Sequence, residues 1–161
     1  MRMKKTIILL FAVVNFVAAS AQSIQKMSPD DLLNYINKAD KPLVVSFWAT
    51  WCSSCVEEIP YFISTIQEKY AGNVEILLVS LDIKSYYPEK VKAFAARKKY
   101  NVPIAWMSET NADVFCPKID PNWTGAIPST LMINNAKQYR KFYEQGLTKF
   151  QFDTGLKKLI E

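Results

Sequence analysis

The 161 residues are 50% apolar and 22% charged with a formal net charge of +5, a composition that supports one globular core and excludes a disordered or collagen-like chain. Histidine is absent, which excludes Ser-His-Asp and Cys-His catalysis, His-ligated zinc or copper, and the haem-attachment run Cys-x-x-Cys-His. The four glycines are too scattered for a phosphate-cradling loop, so Cys52, Cys55 and Cys116 are left to carry the chemistry.

Arg2, Lys4 and Lys5 precede an apolar run over residues 7–19, and Ala19-Ser20-Ala21 offers small residues at the positions a signal peptidase reads. This predicts a secretory signal peptide over 1–21, a mature domain over 22–161 and a periplasmic location. An uncleaved N-terminal membrane anchor is the alternative, although 13 apolar residues fall short of the roughly 20 that span a bilayer. Loss of the leader removes three basic residues and no acidic one, lowering the net charge from +5 to +2. Arg97-Lys98-Lys99 is then the one basic run, read as a solvated helix face, and no nucleic-acid partner is expected.

Ser28-Pro29-Asp30-Asp31 reads as a capped helix start, with Leu32, Leu33 and Ile36 as the buried stripe. Leu43 to Trp48 is a short apolar run, as in a strand covered on both faces. Residues 56–70 have helical period, with Pro60 expected to kink them, and 74–81 form a second apolar strand. A helix is predicted over 88–100, a strand over 104–107, and a long loop with little regular structure over 108–128. Strands at 130–133 and 138–144 are joined through Asn134-Asn135, and Thr148-x-x-Gln151 resembles a capping box opening a last helix. The order predicts an α/β fold, with a mixed central sheet flanked by helices on both faces.

Trp51-Cys52-Ser53-Ser54-Cys55 falls where a buried strand gives way to a helix. Unpaired N–H groups and the positive end of the dipole there favour the thiolate, which is the nucleophile. A second cysteine one turn on is placed to attack a mixed disulfide formed by the first. A zinc site lacks ligands, since Cys116 is the one further thiol. An inert disulfide would close too short a loop to stabilise much. A redox-active pair is the favoured reading of the three, with no metal and no cofactor beyond the Cys52–Cys55 disulfide itself.

The run Phe47-Trp48-Ala49-Thr50-Trp51-Cys52-Ser53-Ser54-Cys55 resembles the active-site segment of thioredoxin-fold proteins. Pro60 matches the kink proline of that family's active-site helix, and Gly125-Ala126-Ile127-Pro128-Ser129-Thr130 matches its cis-proline loop. Pro128 follows Cys55 by 73 positions, which resembles the insertion of the secreted TlpA/ResA-like branch, as does the Trp-x-Gly-x-x-Pro run at Trp123 to Pro128. The resemblance implies an extracytoplasmic thiol–disulfide oxidoreductase, favouring reduction of protein disulfides, recharged by a membrane or periplasmic electron donor. It implies that Cys52 attacks, Cys55 resolves, cis-Pro128 lies against the Cys52 sulfur, and the Ile127 backbone pairs with substrate. Trp51 and Trp123 are expected to form an apolar rim for the substrate.

The chain departs from thioredoxin at Ser46, where thioredoxin has a buried aspartate, and at Leu78, where it has a lysine. Glu57, Glu58 and Asp82 are the candidates to relay the proton of Cys55 instead. Cys116 reads as a half-buried loop residue, a small buried hydrophobe first and a regulatory or intermolecular partner for the active-site pair second. A peroxidase would need proline and threonine or serine where Val45 and Ala49 precede Cys52. The rival class is a non-catalytic binding module that presents Trp123 and the proline-rich loop to a partner.

Overall fold

The computed structural model describes residues 23–161, so the expected signal peptide lies outside the described residues. Six strands alternate with five helices: β1 (Ile24–Met27), α1 (Pro29–Asn37), β2 (Leu43–Trp48), α2 (Ser53–Lys69), β3 (Glu75–Ser80), α3 (Glu89–Arg97), β4 (Ile104–Met107), α4 (Ala112–Ile119), β5 (Ser129–Asn134), β6 (Tyr139–Tyr143) and α5 (Lys149–Ile160). The sheet order is β1-β4-β3-β2-β5-β6, parallel from β1 to β2 and antiparallel at β5 and β6.

All six residues of β2 are buried because helices cover both faces of the sheet. Alternation sends Val44 and Trp48 into one core with Cys55, Ile59, Phe62 and Phe152. Leu43, Val45 and Phe47 enter the other, with Leu32, Ile36, Phe115 and Trp123. Helices α2, α3 and α5 therefore pack on one face, and α1 and α4 on the other. Ligand sites in such sheets form at the carboxyl ends of the parallel strands, and β2 ends there, four residues before Cys52.

Two expectations need correction. Residues 108–128 are not a loop throughout, because α4 occupies Ala112–Ile119. Asn111 caps it, its side-chain oxygen accepting from the Asp113 N–H at 3.0 Å, and Phe115, Cys116 and Ile119 turn one face into the core. Pro117 interrupts only the last turn. The second correction adds β1, which pairs in parallel with β4 along its whole length from Ile24↔Ile104 to Met27↔Met107. Elsewhere the helix at 53–69 runs on through Pro60. The β5–β6 connection is a 3-10 turn over Asn135–Lys137, closed by Gln138 at φ +51°.

Candidate active site

The chain leaves β2 at Trp48 and reaches Cys52 through Ala49, Thr50 and Trp51. Thr50 is held from the end of β3: its N–H donates to Asp82 Oδ2 at 3.0 Å and its hydroxyl to Oδ1 at 2.6 Å. Ser80 Oγ donates to Asp82 Oδ2 at 2.8 Å, and the Trp106 indole donates to the Asp82 carbonyl at 2.7 Å. Asp82 is fully buried, and the Thr50 and Ser80 donors replace the water that its carboxylate loses on burial. Its carboxylate thereby fixes the turn.

Cys52 is the N-cap of α2, its sulfur accepting from the Cys55 N–H at 3.3 Å, and it is disulfide-bonded to Cys55. Cys52 retains 6% exposure and Cys55 none, so of the two residues the first is the less enclosed. Trp51 stands beside it, 67% exposed. Once the disulfide is reduced, the helix N-terminus stabilises a Cys52 thiolate by about 0.3–1 kcal/mol.

Antiparallel pairing of Phe47 with Ser129 brings the start of β5 alongside the end of β2. The Ile127–Pro128 peptide just before it is cis. Pro128 is buried and Ile127 half-buried. Three long-range bonds tie down the approaching loop: Glu144 accepts from the Thr124 N–H at 2.8 Å, from the Ala126 N–H at 3.2 Å and from the Thr124 hydroxyl. Those bonds hold the Glu144 carboxyl below the usual range against the opposing effect of its desolvation. Gly125 sits at φ +94°, a conformation that side chains disfavour.

Trp123 is 4% exposed and cannot form a substrate rim. Its ring packs 4.6 Å from that of Phe47 and against Phe115 and Phe142, and its indole N–H donates to the Ala126 carbonyl at 3.0 Å. The tryptophan supports the cis-proline loop from beneath, because an indole buries its large apolar face wherever its N–H finds an acceptor. A binding module docking partners on Trp123 loses its docking residue.

Behind Cys55 the polar groups are differently placed. Glu58, one turn along α2, accepts from the Leu147 N–H at 2.8 Å through Oε2, while Oε1 is buried without a protein partner. Burial pushes its carboxyl up to about 7, only partly opposed by the Leu147 bond. A methyl group added at Gly146 would meet both Glu58 Oε2 and Pro128 Cγ at 3.5 Å, so the carboxyl and the cis-proline are neighbours across that glycine. Ser46 and Thr130 face each other in the β2–β5 register, on the sheet face that α2 covers, and both hydroxyls lack protein partners. Leu78 stands opposite Ser46 on β3. Glu57 points away, exposed to solvent.

Cys116 lies on α4 rather than in a loop, is 2% exposed and is not disulfide-bonded. Burial, helped by the charges of Glu144 and Asp113, pushes its thiol up to about 11, which leaves it an inert hydrophobe. Sequence reasoning missed Glu144 and Thr50, whose partners lie 20 and 32 positions away with no local signal.

The sequence profile of the AhpC/TSA family matches residues 12–142. The thiol-disulfide oxidoreductase ResA of Bacillus subtilis (strain 168) is 25% identical over 134 residues, covering 77% of this chain and 70% of that one. ResA of Geobacillus thermodenitrificans (strain NG80-2) is 24% identical over 142 residues, covering 83% and 76%. A thioredoxin-like protein of B. subtilis, YneN, is 31% identical over 64 residues, 40% of this chain, and the chain spans only 37% of its length. Among solved structures, a thioredoxin family thiol:disulfide interchange protein from Chlorobium tepidum TLS superposes with a TM-score of 0.62 at 21% identity, over 88% of this chain and 95% of that one. That likeness establishes a thioredoxin-like fold.

Proposed function

This chain belongs to the AhpC/TSA family as a thiol–disulfide oxidoreductase of thioredoxin fold, and from that premise we propose that it works outside the cytoplasm and reduces disulfides in polypeptide substrates. The observation that carries this reading is the asymmetry of the cysteine pair at the head of α2, Cys52 at the helix cap with slight exposure and Cys55 fully buried one turn on. In the reduced protein the Cys52 thiolate attacks one sulfur of a substrate disulfide. A Cys52–substrate disulfide forms, and the departing thiolate takes up a proton. Cys55 then gives its proton to a base, attacks Cys52 Sγ and expels the second substrate thiolate. Two electrons pass to the substrate, the Cys52–Cys55 disulfide remains, and a membrane or periplasmic dithiol donor restores the pair.

Glu58 is the base that the surroundings of Cys55 support. Glu57 faces solvent and the Asp82 carboxylate is occupied, whereas Glu58 has a buried free oxygen and a carboxyl held near neutrality. The exposed Trp51 ring and the backbone of Ile127, beside cis-Pro128, are the groups a substrate strand meets first. Ser53 and Ser54 place no cation between the cysteines, which supports the reducing direction. The basic start and apolar run of residues 1–21, read as a leader, support export to the periplasm.

Trapping tests this reading. Cys55→Ser, expressed with its leader in an exporting bacterial host, is expected to accumulate disulfide-linked adducts through Cys52 in the periplasmic fraction. Cys52→Ser is expected to accumulate none. Adducts absent from Cys55→Ser, or found only in the cytoplasmic fraction, would contradict it.

A further inference from the structure

Beside the turn that leads into Cys52 lies a shallow cleft of about 250 Å³, lined by Thr50, Tyr86, Lys90, Ala93, Phe94 and Arg97. The four α3 residues fall at i, i+3, i+4 and i+7 and so share one helix face. That face is anchored to the redox end of the sheet, because the Phe94 ring packs 5.8 Å from that of Trp48, the last residue of β2. Thr50 is two residues from Cys52, and two residues of chain span at most about 7 Å. Through Thr50 the edge of the cleft therefore lies within about 7 Å of Cys52, the span of two residues of an extended substrate.

The cleft is cationic and its cations are held in place. Lys90 Nζ stands 4.1 Å from the centre of the Tyr86 ring, and the Arg97 guanidinium 5.0 Å from that of Phe94. Among the described residues neither makes an ion pair, and no carboxylate lines the cleft. Ala93 lies between the two on the helix face and puts no large side chain there. Of the basic run, Arg97 lines the cleft with Lys90, while Lys98 stands 5.8 Å from the centre of the same Phe94 ring without lining it. A guanidinium and an ammonium on aromatic supports match the charge and forked shape of a carboxylate.

We propose that this cleft is a substrate subsite that receives a Glu or Asp side chain lying within two residues of the substrate cysteine. The proposal rests on Cys52 as the attacking sulfur and adds a selectivity that the sulfur chemistry does not itself provide.

The test uses three disulfide-linked peptides, identical except for Glu, Gln or Lys two positions from the cysteine. For the reduced wild-type protein at low salt, kcat/KM for the Glu peptide is expected to exceed that for the Lys peptide at least fivefold. That ratio should shrink as ionic strength rises and fall below one in the exposed double variant Lys90→Glu/Arg97→Glu. Because the ratio is taken within one protein, losses common to both peptides cancel. A wild-type ratio near one, or a ratio that charge reversal leaves unchanged, overturns the subsite. Fluorescein-labelled peptides with serine in place of cysteine, bound to the oxidised protein and followed by anisotropy, read the same preference without turnover; equal binding of the Glu and Lys forms also overturns it. The Gln peptide separates the two readings. If the Gln peptide is not reduced while the serine peptides still bind with Glu preferred, Cys52 as attacking sulfur fails and the acidic-peptide site stands.

Discussion

In front of Cys52, Asp82 accepts from the Thr50 N–H, the Thr50 hydroxyl and Ser80 Oγ, so the turn that leads to Cys52 is anchored at Thr50. Behind Cys55, three buried oxygens, Ser46 Oγ, Thr130 Oγ1 and Glu58 Oε1, have no protein partner. The two sides lie only a few residues apart along the chain, yet one is built for fixed geometry and the other leaves polar capacity uncommitted. A nucleophile that must meet an incoming disulfide benefits from a rigid approach. A resolving thiol that must lose a proton benefits from polar groups that are free to take part.

The comparison breaks first at the sulfurs. Cys52→Ser should abolish disulfide-reductase turnover, by at least about 1000-fold, while circular dichroism shows the fold retained. On the rigid side, Asp82→Ala strands the Thr50 and Ser80 donors in a buried place and should lower the unfolding free energy by about 3 kcal/mol, measured by urea denaturation. Asp82→Asn, which keeps one acceptor, should cost less.

On the open side the effects are smaller and depend on pH. Between about pH 4.5 and 7 folded Glu58 retains a proton that the unfolded chain has lost, so stability falls as pH rises through that window. Glu58→Gln keeps an acceptor for the Leu147 N–H and removes the titration. Its unfolding free energy should exceed wild type above pH 7 by on the order of 1 kcal/mol, after allowing for solvent screening of a half-buried group, and converge with it below pH 4.5. The smallest effects belong to the hydroxyls. Ser46→Ala and Thr130→Val remove groups with no protein partner and should each shift stability by less than about 1 kcal/mol, in either direction. A cost as large as that of Asp82→Ala would show that the two sides are built alike.

The chemistry was legible in the sequence because it is local: two cysteines three residues apart, at a point where an apolar run gives way to helical period. The strands β2 and β4 and the capped helices α1 and α5 could be read for the same reason. What escaped is non-local or short. In β1 only Ile24 and Met27 are buried, around the exposed Gln25 and Lys26, and its partner β4 is 80 positions away. Pro117 and a polar setting hid α4, although Asn111 was there to cap it. Trp123 could be placed near the cis-proline loop by its motif, but only the packing of Phe47, Phe115 and Phe142 around it shows that it faces inward. Glu57, Glu58 and Asp82 are alike in the sequence and differ in the structure by burial and bonding partners, which are set by Leu147 and Thr50 far along the chain.

The most direct measurement is the reduction potential of the Cys52–Cys55 couple, taken by equilibrating the purified protein against dithiothreitol or glutathione and counting free thiols. A protein that reduces substrate disulfides through this pair should give a value near that of thioredoxin, about −270 mV. A value near about −120 mV, like that of a strong disulfide donor, would reverse the direction of electron flow and contradict the account.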